Sequence, residues 1–470
     1  MKVMQTNLID TFRVILVQPT THDVLVSRQR ASLTLPMLEI PRRIRQAEAI
    51  TTGLHALLGL DAYCLFALPE ERSRSTAWKY LVASPSSQTS AAAPQFDWLT
   101  VDSLALEGFQ ERSDWFAVKS AFEQIETYKQ DRSRGFFGCP GWLSEITNWA
   151  QHAISSLGTH LTGLYQHLNA SASSCLLRLL TADSAVWFKA VGDPAVRELS
   201  ITRCLSRQFP AFLPEMIAEH NDSCGWLSEE VPGIHPDDAS PGGTWIAAAT
   251  ALAELQIASM RQTLHLGEAG CRDVRACTLV DLVDPFFGVI ADLMEMQPNP
   301  APPRLSNAQL VELKSVLLDA IAYTAKLDIP SSLAHLDLNT GNILVSKDRV
   351  VFLDWASACI GSPFLSLEYL LEQLRTLRPS EQRLQRLVQT AYTEKLQPFV
   401  GKAEMSAALA ANPLLAAFCY AAGSDAWRDP ARISDPDTAG HLRSLSRRMK
   451  REAETWASAA GSHFACSPIR

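Results

Sequence analysis

The chain has 470 residues, 47% of them hydrophobic and 20% charged, with a formal net charge of −8. This is the composition of an ordinary globular protein, and the length allows two or three structural units. The negative charge argues against a dedicated binder of nucleic acid or of anionic membranes, because such proteins need a basic surface. We therefore expect neither nucleic acid nor a membrane as a partner.

The sequence predicts a cytoplasmic protein. Its first residues have no isolated apolar segment followed by a small-residue cleavage site, and the most apolar stretch, residues 245–260, is interrupted by Glu254. The ten cysteines form no Cys-x-x-Cys pair. We therefore expect most of them to be small buried residues in a reducing compartment. The sequence predicts no particular oligomeric state.

Residues 1–130 show an α+β order of predicted elements. Periodicity predicts strands and helices in the following order: strands over 12–17 and 23–27, a helix over 43–58 ended by Gly59, strands over 63–67 and 78–83, and a helix over 114–128.

This first unit resembles a degenerate Nudix domain, whose catalytic box is a strand, a loop and a Glu-rich helix that ends in glycine. When the box is aligned on Gly59, its two metal-binding glutamates fall on Ala56 and Leu57. Divalent cations need oxygen ligands, which these side chains lack. The resemblance therefore implies a Nudix-like fold without pyrophosphohydrolase activity, and a generic α+β module is the alternative.

A second domain is predicted over residues 141–470, after a boundary of charged, Gly and Pro residues at 129–141. It begins with a helix over 143–157 and a β-hairpin, and the Pro-rich residues 297–305 join two later helical segments. The hairpin strands lie over 175–180 and 185–191, and Asp193-Pro194 then opens a helix that extends to about Arg207.

One constellation in this domain predicts chemistry. His335, Asp337 and Asn342 follow the pattern His-x-Asp-x-x-x-x-Asn, and two apolar runs around a four-residue polar turn come directly after it. If Val345 pairs with Val350 in the resulting hairpin, Asn342 lies opposite Leu353.

Asp354 follows Leu353, so the hairpin would bring the amide oxygen of Asn342 near a carboxylate. Two such oxygen ligands suit Mg²⁺, which completes its coordination with water and substrate phosphates. Asp337 is then left as a base or orienting group.

The motif resembles the catalytic core of the aminoglycoside phosphotransferase and choline kinase branch of the protein-kinase-like superfamily. In that branch the metal-binding Asp is followed by Trp, as Asp354 is by Trp355. The resemblance implies a bilobal α+β fold, with a small β-rich lobe over about 141–232 and a larger helical lobe over about 233–470.

The same resemblance assigns residues upstream of the motif. Lys189 would hold the α- and β-phosphates of ATP and Glu198 would pair with this lysine. Residues 226–231 resemble the hinge that contacts adenine, with Glu229 and Val231 as the contacts.

The sequence departs from the family pattern at three places. The loop over 169–174 lacks glycines, Leu336 replaces the glycine that usually follows the motif histidine, and Ser362 and Ser366 stand at two positions that are usually acidic. Since those acids are mainly structural supports, the departures concern loop packing more than the metal site.

The resemblance implies an ATP- and Mg²⁺-dependent phosphotransferase that uses Asp337 to phosphorylate a hydroxyl of a small molecule. Residues 131–470 hold 29 Lys and Arg against 36 Asp and Glu. An acidic cleft near Glu368, Glu372, Asp425 and Asp429 would suit amino-sugars or choline-like cations.

Two alternatives remain at this point. The chain could be a catalytically silent pseudokinase that acts as a nucleotide-binding regulatory or scaffold protein. A protein kinase is less well supported, because no Ala-Pro-Glu signature follows Asp354 at the expected distance.

Overall fold

The computed structural model describes residues 9–21, 23–29, 32–42, 46–69, 78–86, 93–192 and 195–464. The chain forms two compact units. The first unit contains Met1–Leu199 and Glu215–Glu230, and the second contains Ser200–Pro214 and Val231–Arg470.

The N-terminal part of the first unit contains two small β-sheets. Its strands are β1 (Ile9–Leu16), β2 (Asp23–Gln29), β3 (Ser32–Thr34), β4 (Met37–Pro41), β5 (Ala62–Ala67), β6 (Lys79–Pro85) and β7 (Phe96–Thr100). One sheet has the order β4-β1-β6-β5, with β1 and β6 parallel, and the other has the order β3-β2-β7. The four predicted strands are confirmed as β1, β2, β5 and β6.

Four helices accompany these sheets: α1 (Gln46–Leu58), α2 (Arg112–Gln130), α3 (Arg132–Gly135) and α4 (Trp142–Ser155). Helix α1 ends at Gly59 as predicted, and Gly59 has a φ of +68°, a left-handed conformation that costs glycine little. The predicted start of α1, Arg43, lies outside the described residues. The Nudix-like fold of this part stays a prediction.

A five-stranded antiparallel sheet completes the first unit. Its strands are β8 (Leu161–Ala170), β9 (Cys175–Thr181), β10 (Ala185–Ala190), β11 (Met216–His220) and β12 (Gly225–Glu229), in the order β11-β12-β10-β9-β8. The predicted hairpin is confirmed as β9 and β10, with Leu180 opposite Ala185. Helix α5 (Arg197–Gln208) follows, and its predicted cap, Asp193-Pro194, lies outside the described residues.

One hydrophobic core extends through the first unit. It contains Tyr63 and Phe66 from the predicted N-terminal domain together with Trp142 and Phe188 from the predicted second domain. The rings of Tyr63 and Trp142 meet edge to face, with centroids 5.1 Å apart. The boundary predicted at residues 129–141 lies inside this unit, and the division into separate domains stays a prediction.

The second unit is mainly helical. Its helices are α6 (Gly242–Ser259), α7 (Thr263–Glu268), α8 (Ala276–Glu295), α9 (Asn307–Thr324), α10 (Phe364–Leu377), α11 (Gln382–Leu396), α12 (Lys402–Gly423), α13 (Pro430–Ile433) and α14 (Pro436–Phe464). As predicted, residues 297–305 connect two helices, α8 and α9. Together with the β-rich first unit, this confirms the predicted α+β class.

The strands of the second unit are short: β13 (Arg272–Asp273), β14 (Ser332–His335), β15 (Ile343–Val345), β16 (Val350–Phe352) and β17 (Ala358–Gly361). Strands β13, β17 and β14 form one sheet in that order, and β15 and β16 form a separate hairpin. The segments that follow β14 and β16 carry the predicted catalytic and metal-binding residues.

Among the described residues, α12 is long and apolar enough to cross a membrane by length and composition alone. In the structure 67% of its most apolar window is buried. Leu414 and Phe418 of α12 belong to the hydrophobic core of the second unit, so the helix packs as a core element.

Candidate active site

The hairpin of β15 and β16 has the predicted register. Val345 lies opposite Val350 and Ile343 opposite Phe352, and the backbone N–H of Leu353 donates to the carbonyl oxygen of Asn342 at 2.9 Å. Backbone pairing therefore continues to Asn342 on one side and to Leu353, the neighbour of Asp354, on the other.

The amide of Asn342 has a fixed orientation. Its Nδ2 donates to the backbone carbonyl of Asp337 at 2.8 Å. Its backbone N–H donates to the carbonyl of Asn339 at 3.0 Å. Because Nδ2 is used in this way, Oδ1 is the amide atom that a cation would contact.

Asp337 is half-buried and lies on the loop that follows β14. The Nδ2 of Asn339 donates to Asp337 Oδ1 at 3.1 Å, which orients the carboxylate. The pKa of Tyr420 is raised by burial and, secondarily, by the charge of Asp337, so this tyrosine lies in the field of the carboxylate.

His335 connects the loop of Asp337 to the end of β16. Its Nε2 lies 2.9 Å from the carbonyl oxygen of Leu353, and its Nδ1 lies 3.2 Å from the backbone nitrogen of Asp337. A carbonyl can only accept, so Nε2 carries the proton and Nδ1 accepts from Asp337. The buried ring packs against Trp355, with centroids 4.7 Å apart.

Asp354 has an unusual backbone conformation. Its φ of +61° and ψ of 71° lie in the left-handed region, which non-glycine residues rarely adopt. Such a conformation costs of the order of 1–3 kcal/mol and is found preferentially at functional sites. The strain coincides with the residue that the sequence assigns to the metal.

The chemistry of these donors fits a hard cation. Asn342 and Asp354 offer an amide oxygen and a carboxylate, and Mg²⁺ commonly takes one or two protein ligands and fills its shell with phosphate and water oxygens. Within the described part of the chain, no group of three or more His, Cys, Asp or Glu side chains could hold a metal ion.

In the first unit, the structure brings Lys189 and Glu198 together. The Nζ of Lys189, on β10, lies 2.6 Å from Oε1 of Glu198, in the first turn of α5. The carboxylate is almost fully buried, with its side chain 2% exposed, and the ammonium also lies 5.8 Å above the ring of Trp226. Burial removes part of the water around this ion pair, and the carboxylate of Glu198 holds the ammonium group of Lys189 in place.

The residues of the predicted hinge include one of the two points where the chain passes from the first unit to the second, between Glu230 and Val231. Glu229 ends β12, and its Oε1 accepts from the backbone N–H of Glu215 at 3.1 Å. Val231 is buried. The adenine contacts expected for Glu229 and Val231 stay predictions.

Sequence reasoning missed an ion pair beside this hinge. The guanidinium of Arg178, on β9, donates to both carboxylate oxygens of Glu230, at 2.7 and 2.9 Å. This pair raises the pKa of Arg178 mainly through the hydrogen bond. Strand alternation places Arg178 on one face of β9, but only the folded chain shows Glu230 as its partner.

A buried polar network behind β14 was also missed. Ser366 accepts from the backbone N–H of His335 at 2.8 Å, and Ser259 accepts from that of Leu333 at 2.9 Å. The Nε2 of Gln256 donates to the carbonyls of Leu333 and Pro363 at 3.0 and 2.9 Å. The signal available in the sequence was the presence of Gln256 and Ser259 within an otherwise apolar helix, α6.

Ser366 therefore supports the backbone at His335, just before the loop of Asp337, at a position where an acid is expected from the sequence. Its side chain is fully buried, and a neutral hydroxyl can accept the His335 N–H without the cost of burying a charge. The departure from the family pattern is compatible with an ordered loop.

The loop without glycines, residues 169–174, is closed by its own serines. The N–H of Ser171 donates to the carbonyl of Ser174 at 2.9 Å, and the two hydroxyl oxygens are 2.7 Å apart. The carbonyl of Ala172 accepts from the N–H of Phe137 at 2.9 Å. These bonds attach the loop to the helical connection before α4.

The acids expected to receive a cationic acceptor have other partners. Glu368 and Glu372 line a cavity with Asp337, but arginines already contact both carboxylates. Asp429 caps α13 by accepting from the N–H of Ala431 at 2.9 Å. The side chain of Asp425 lies outside the described residues.

Residues 194–399 match the model of the phosphotransferase enzyme family, APH. The match covers 206 of the 470 residues, which is less than half of the chain. The matched segment contains Glu198, Asp337, Asn342 and Asp354, whereas Lys189 lies just before it. The match confirms the predicted resemblance of the kinase-like part, its fold class and the class of enzyme, a kinase, whereas the Nudix-like resemblance of the N-terminal part is not confirmed.

Solved structures show likeness over about two thirds of this chain. Macrolide 2′-phosphotransferase MphH from Brachybacterium faecium is 14% identical, with 64% of this chain and 97% of that chain covered and a TM-score of 0.43. Choline kinase LicA from Streptococcus pneumoniae is 13% identical, with 67% of this chain and 99% of that chain covered and a TM-score of 0.44. ADP-bound aminoglycoside phosphotransferase APH(2'')-Ib is 14% identical, with 66% of this chain and 98% of that chain covered and a TM-score of 0.44. No curated protein matches the chain.

Proposed function

We propose that this protein transfers the γ-phosphate of ATP, in a Mg²⁺-dependent reaction, to a hydroxyl of a small-molecule acceptor. The observation that carries the proposal is the arrangement around one hairpin end: Asn342 and Asp354 on paired strand ends, with Asp337 hydrogen-bonded to Asn342. The family match supports the same reaction class.

Lys189 is proposed to bind the α- and β-phosphates. The buried carboxylate of Glu198 holds its ammonium at 2.6 Å, so the charge is positioned before the nucleotide arrives. Glu229 and Val231 are proposed as the adenine contacts, through the hinge that they flank.

Asn342 Oδ1 and the Asp354 carboxylate are the proposed ligands of Mg²⁺. When bound there, the cation would neutralise charge on the phosphate oxygens. The hydrogen bond on Asn342 Nδ2 fixes the direction in which Oδ1 of this amide points.

Asp337 is the proposed base. Its carboxylate accepts the proton of the acceptor hydroxyl while the hydroxyl oxygen forms a bond to the γ-phosphorus. The bond from phosphorus to the β–γ bridging oxygen breaks, and ADP leaves with that electron pair. Asn339 holds Oδ1 of Asp337, and the other carboxylate oxygen is proposed to face the acceptor.

The test is ATP-dependent phosphorylation of a panel of hydroxyl compounds by the wild type and by Asp337→Asn. We expect the substitution to lower turnover by about 10²–10⁴-fold, the usual contribution of a positioned base, while titration calorimetry shows ATP binding retained. Unchanged turnover in Asp337→Asn would refute the role of Asp337. Nucleotide binding by the wild type without turnover of any compound would favour the silent pseudokinase.

We propose the cytoplasm as its location. Cys359 and Cys419 are buried free thiols of one hydrophobic core, a use of cysteine that suits a reducing compartment.

A further inference from the structure

A cavity of about 270 Å³ lies within the second unit, apart from the candidate active site. Its lining comes from the start of α8, the end of α9, the segment before β14, the start of α10 and the middle of α12. It shares no lining residue with two cavities that Asp337 lines, of about 250 and 450 Å³. The proposed phosphotransfer therefore does not use this cavity.

Most of the cavity wall is apolar. Its aliphatic side chains include Val274, Leu279, Ile321, Leu327, Ile329, Leu365, Ala408 and Leu415. The charged lining residue, Arg275, is paired with Asp273, whose Oδ1 lies 2.9 Å from the guanidinium Nε. An apolar cavity of about 150 Å³ can bind benzene, so the larger volume found here admits a bicyclic ring.

One buried polar side chain, Asn412 of α12, lines this apolar wall and is 3% exposed. Its Nδ2 donates to the carbonyl oxygen of Phe364 at 2.6 Å. A carbonyl can only accept, so this bond fixes which end of the amide is Nδ2, and Oδ1 points away from Phe364.

The amide oxygen of Asn412 still needs a hydrogen-bond donor. Within the described part of the chain no group donates to Oδ1, and protein atoms do not cover this oxygen completely. Buried polar groups in folded proteins are almost always hydrogen-bonded. The donor for this oxygen must therefore come from a molecule that enters the cavity.

The remaining polar groups of the lining differ in their use. Ser331 and Ser362 contribute hydroxyl groups, whereas the hydroxyl of Thr324 donates to the carbonyl of Ala320 in its own helix at 2.9 Å. Cys277 lines the cavity and is exposed, so its thiol lies at the opening. The other described cysteines are buried or half-buried, which makes Cys277 a reporter of what occupies the cavity.

We propose that this cavity is a second small-molecule site. Its ligand has an apolar body of one or two rings and an N–H or O–H group that donates to Asn412 Oδ1. An apolar wall with a few converging polar groups is typical of small-molecule sites. The site is independent of the proposed phosphotransfer, so either can fail without the other.

The test uses two probes of nearly equal shape, indole and benzofuran, of which indole alone carries an N–H group. Each is titrated against the full-length wild type by calorimetry, and also during alkylation by iodoacetamide, with the peptide that contains Cys277 followed by mass spectrometry. We expect both probes to slow the alkylation of Cys277. Indole should bind about 3–10-fold more tightly than benzofuran, the ratio that one buried hydrogen bond provides.

Three variants locate the bound probe. Thr324→Phe fills the cavity and should abolish calorimetric binding of both probes. Thr455→Phe is the matched control, because Thr455 is an exposed threonine of α14 whose hydroxyl likewise donates to the carbonyl four residues earlier; it should bind both probes as the wild type does. Asn412→Leu removes Oδ1 at similar volume, so the affinity ratio of indole to benzofuran should fall to about 1.

The inference is overturned if neither probe binds or slows the alkylation of Cys277, because the cavity would then hold water only. Equal affinity of the wild type for indole and benzofuran would refute the role of Asn412. Wild-type binding by folded Thr324→Phe would place the probe elsewhere and also overturn the inference. If Asn412→Leu fails to fold, the wild-type affinity ratio together with Thr324→Phe still decides the question.

Discussion

At the scale of single residues, the candidate metal ligand Asp354 has a left-handed backbone conformation. The left-handed conformation is unfavourable for most residues other than glycine. Asparagine adopts it about as readily as aspartate does. The proposed role of Asp354 as a metal ligand would require its side chain, which glycine lacks. Asparagine therefore permits a substitution that changes the chemistry and leaves the backbone nearly undisturbed.

We predict that Asp354→Asn still folds cooperatively, because asparagine also adopts the left-handed conformation, but strongly weakens Mg²⁺-dependent nucleotide binding, because a neutral amide replaces the charged ligand. Thermal unfolding and calorimetric titration of ATP at several Mg²⁺ concentrations measure the two effects. A variant with the wild-type Mg²⁺ dependence would show that the metal is held elsewhere.

His167 is a second residue whose environment has a measurable consequence. It lies on β8, is fully buried, and its Nδ1 has no hydrogen-bond partner among the described residues. Burial lowers its pKa from the usual 6.5 to about 4. The folded protein therefore keeps the ring neutral at pH values where the unfolded chain has already taken up a proton.

We predict that the protein loses stability as the pH falls from about 6.5 to about 4, by up to about 3 kcal/mol from this residue. The sign follows from the lowered pKa: the unfolded state binds the proton first, so acid favours unfolding. Urea unfolding at a series of pH values measures it. His167→Gln should flatten the slope in this window, and an equally steep slope would assign the acid sensitivity to other groups.

At the scale of elements, β14 is positioned by side chains from two helices. Ser259 of α6 and Ser366 of α10 accept from the backbone of this strand, and its last residue, His335, carries the bonds onward to Asp337 and Leu353. If this loop carries the proposed base, fixing it in this way reduces the conformational entropy that is lost when the substrates bind.

We predict that Ser366→Ala destabilises the fold by about 1–3 kcal/mol, because it leaves the buried N–H of His335 without an acceptor, and that it lowers kcat with little change in the KM for ATP. Ser446→Ala is the matched control: this serine is equally buried, but its hydroxyl bonds to the Leu442 carbonyl of its own helix. Denaturant unfolding and steady-state kinetics give both quantities. Equal kinetic effects of the two substitutions would remove the positioning role of Ser366.

At the scale of the whole molecule, the core of the first unit joins elements that the sequence assigns to different domains. Phe137 and Trp142 pack edge to face at 5.1 Å, and Phe137 lies 6.2 Å from Phe188 of the sheet that carries Lys189. Strands from the N-terminal part supply Tyr63 and Leu65 to the same core. The N-terminal part therefore contributes to the packing of the lysine-bearing sheet.

We predict that a fragment of residues 141–470 does not fold stably, because removing Tyr63, Leu65 and Phe137 exposes their apolar partners at about 1.5–3 kcal/mol for each large side chain. Circular dichroism melting and ATP titration of the fragment and the full chain provide the comparison. A fragment that melts cooperatively and binds ATP as the full chain does would establish the independent domain that the sequence predicts.

Local patterns were enough to predict the parts of the site that are close in sequence. The turn between Val345 and Val350 fixes the hairpin register, and the register in turn aligns Asn342 with Leu353, because β-pairing is determined by a few consecutive residues. The hairpin register therefore needs only short-range geometry. The pairing of Lys189 with Glu198, in contrast, is implied by the family resemblance and not by a local pattern.

The sequence by itself thus determined the α+β class, the hairpin and the identity of the residues that could carry phosphotransfer. Only the tertiary structure decided what surrounds them: Arg178 meets Glu230, 52 positions away, and Gln256 meets Pro363, 107 positions away. The physical reason is that these partners depend on how distant elements pack, which no local periodicity encodes. The same packing pairs Glu372 with Arg448, 76 positions away.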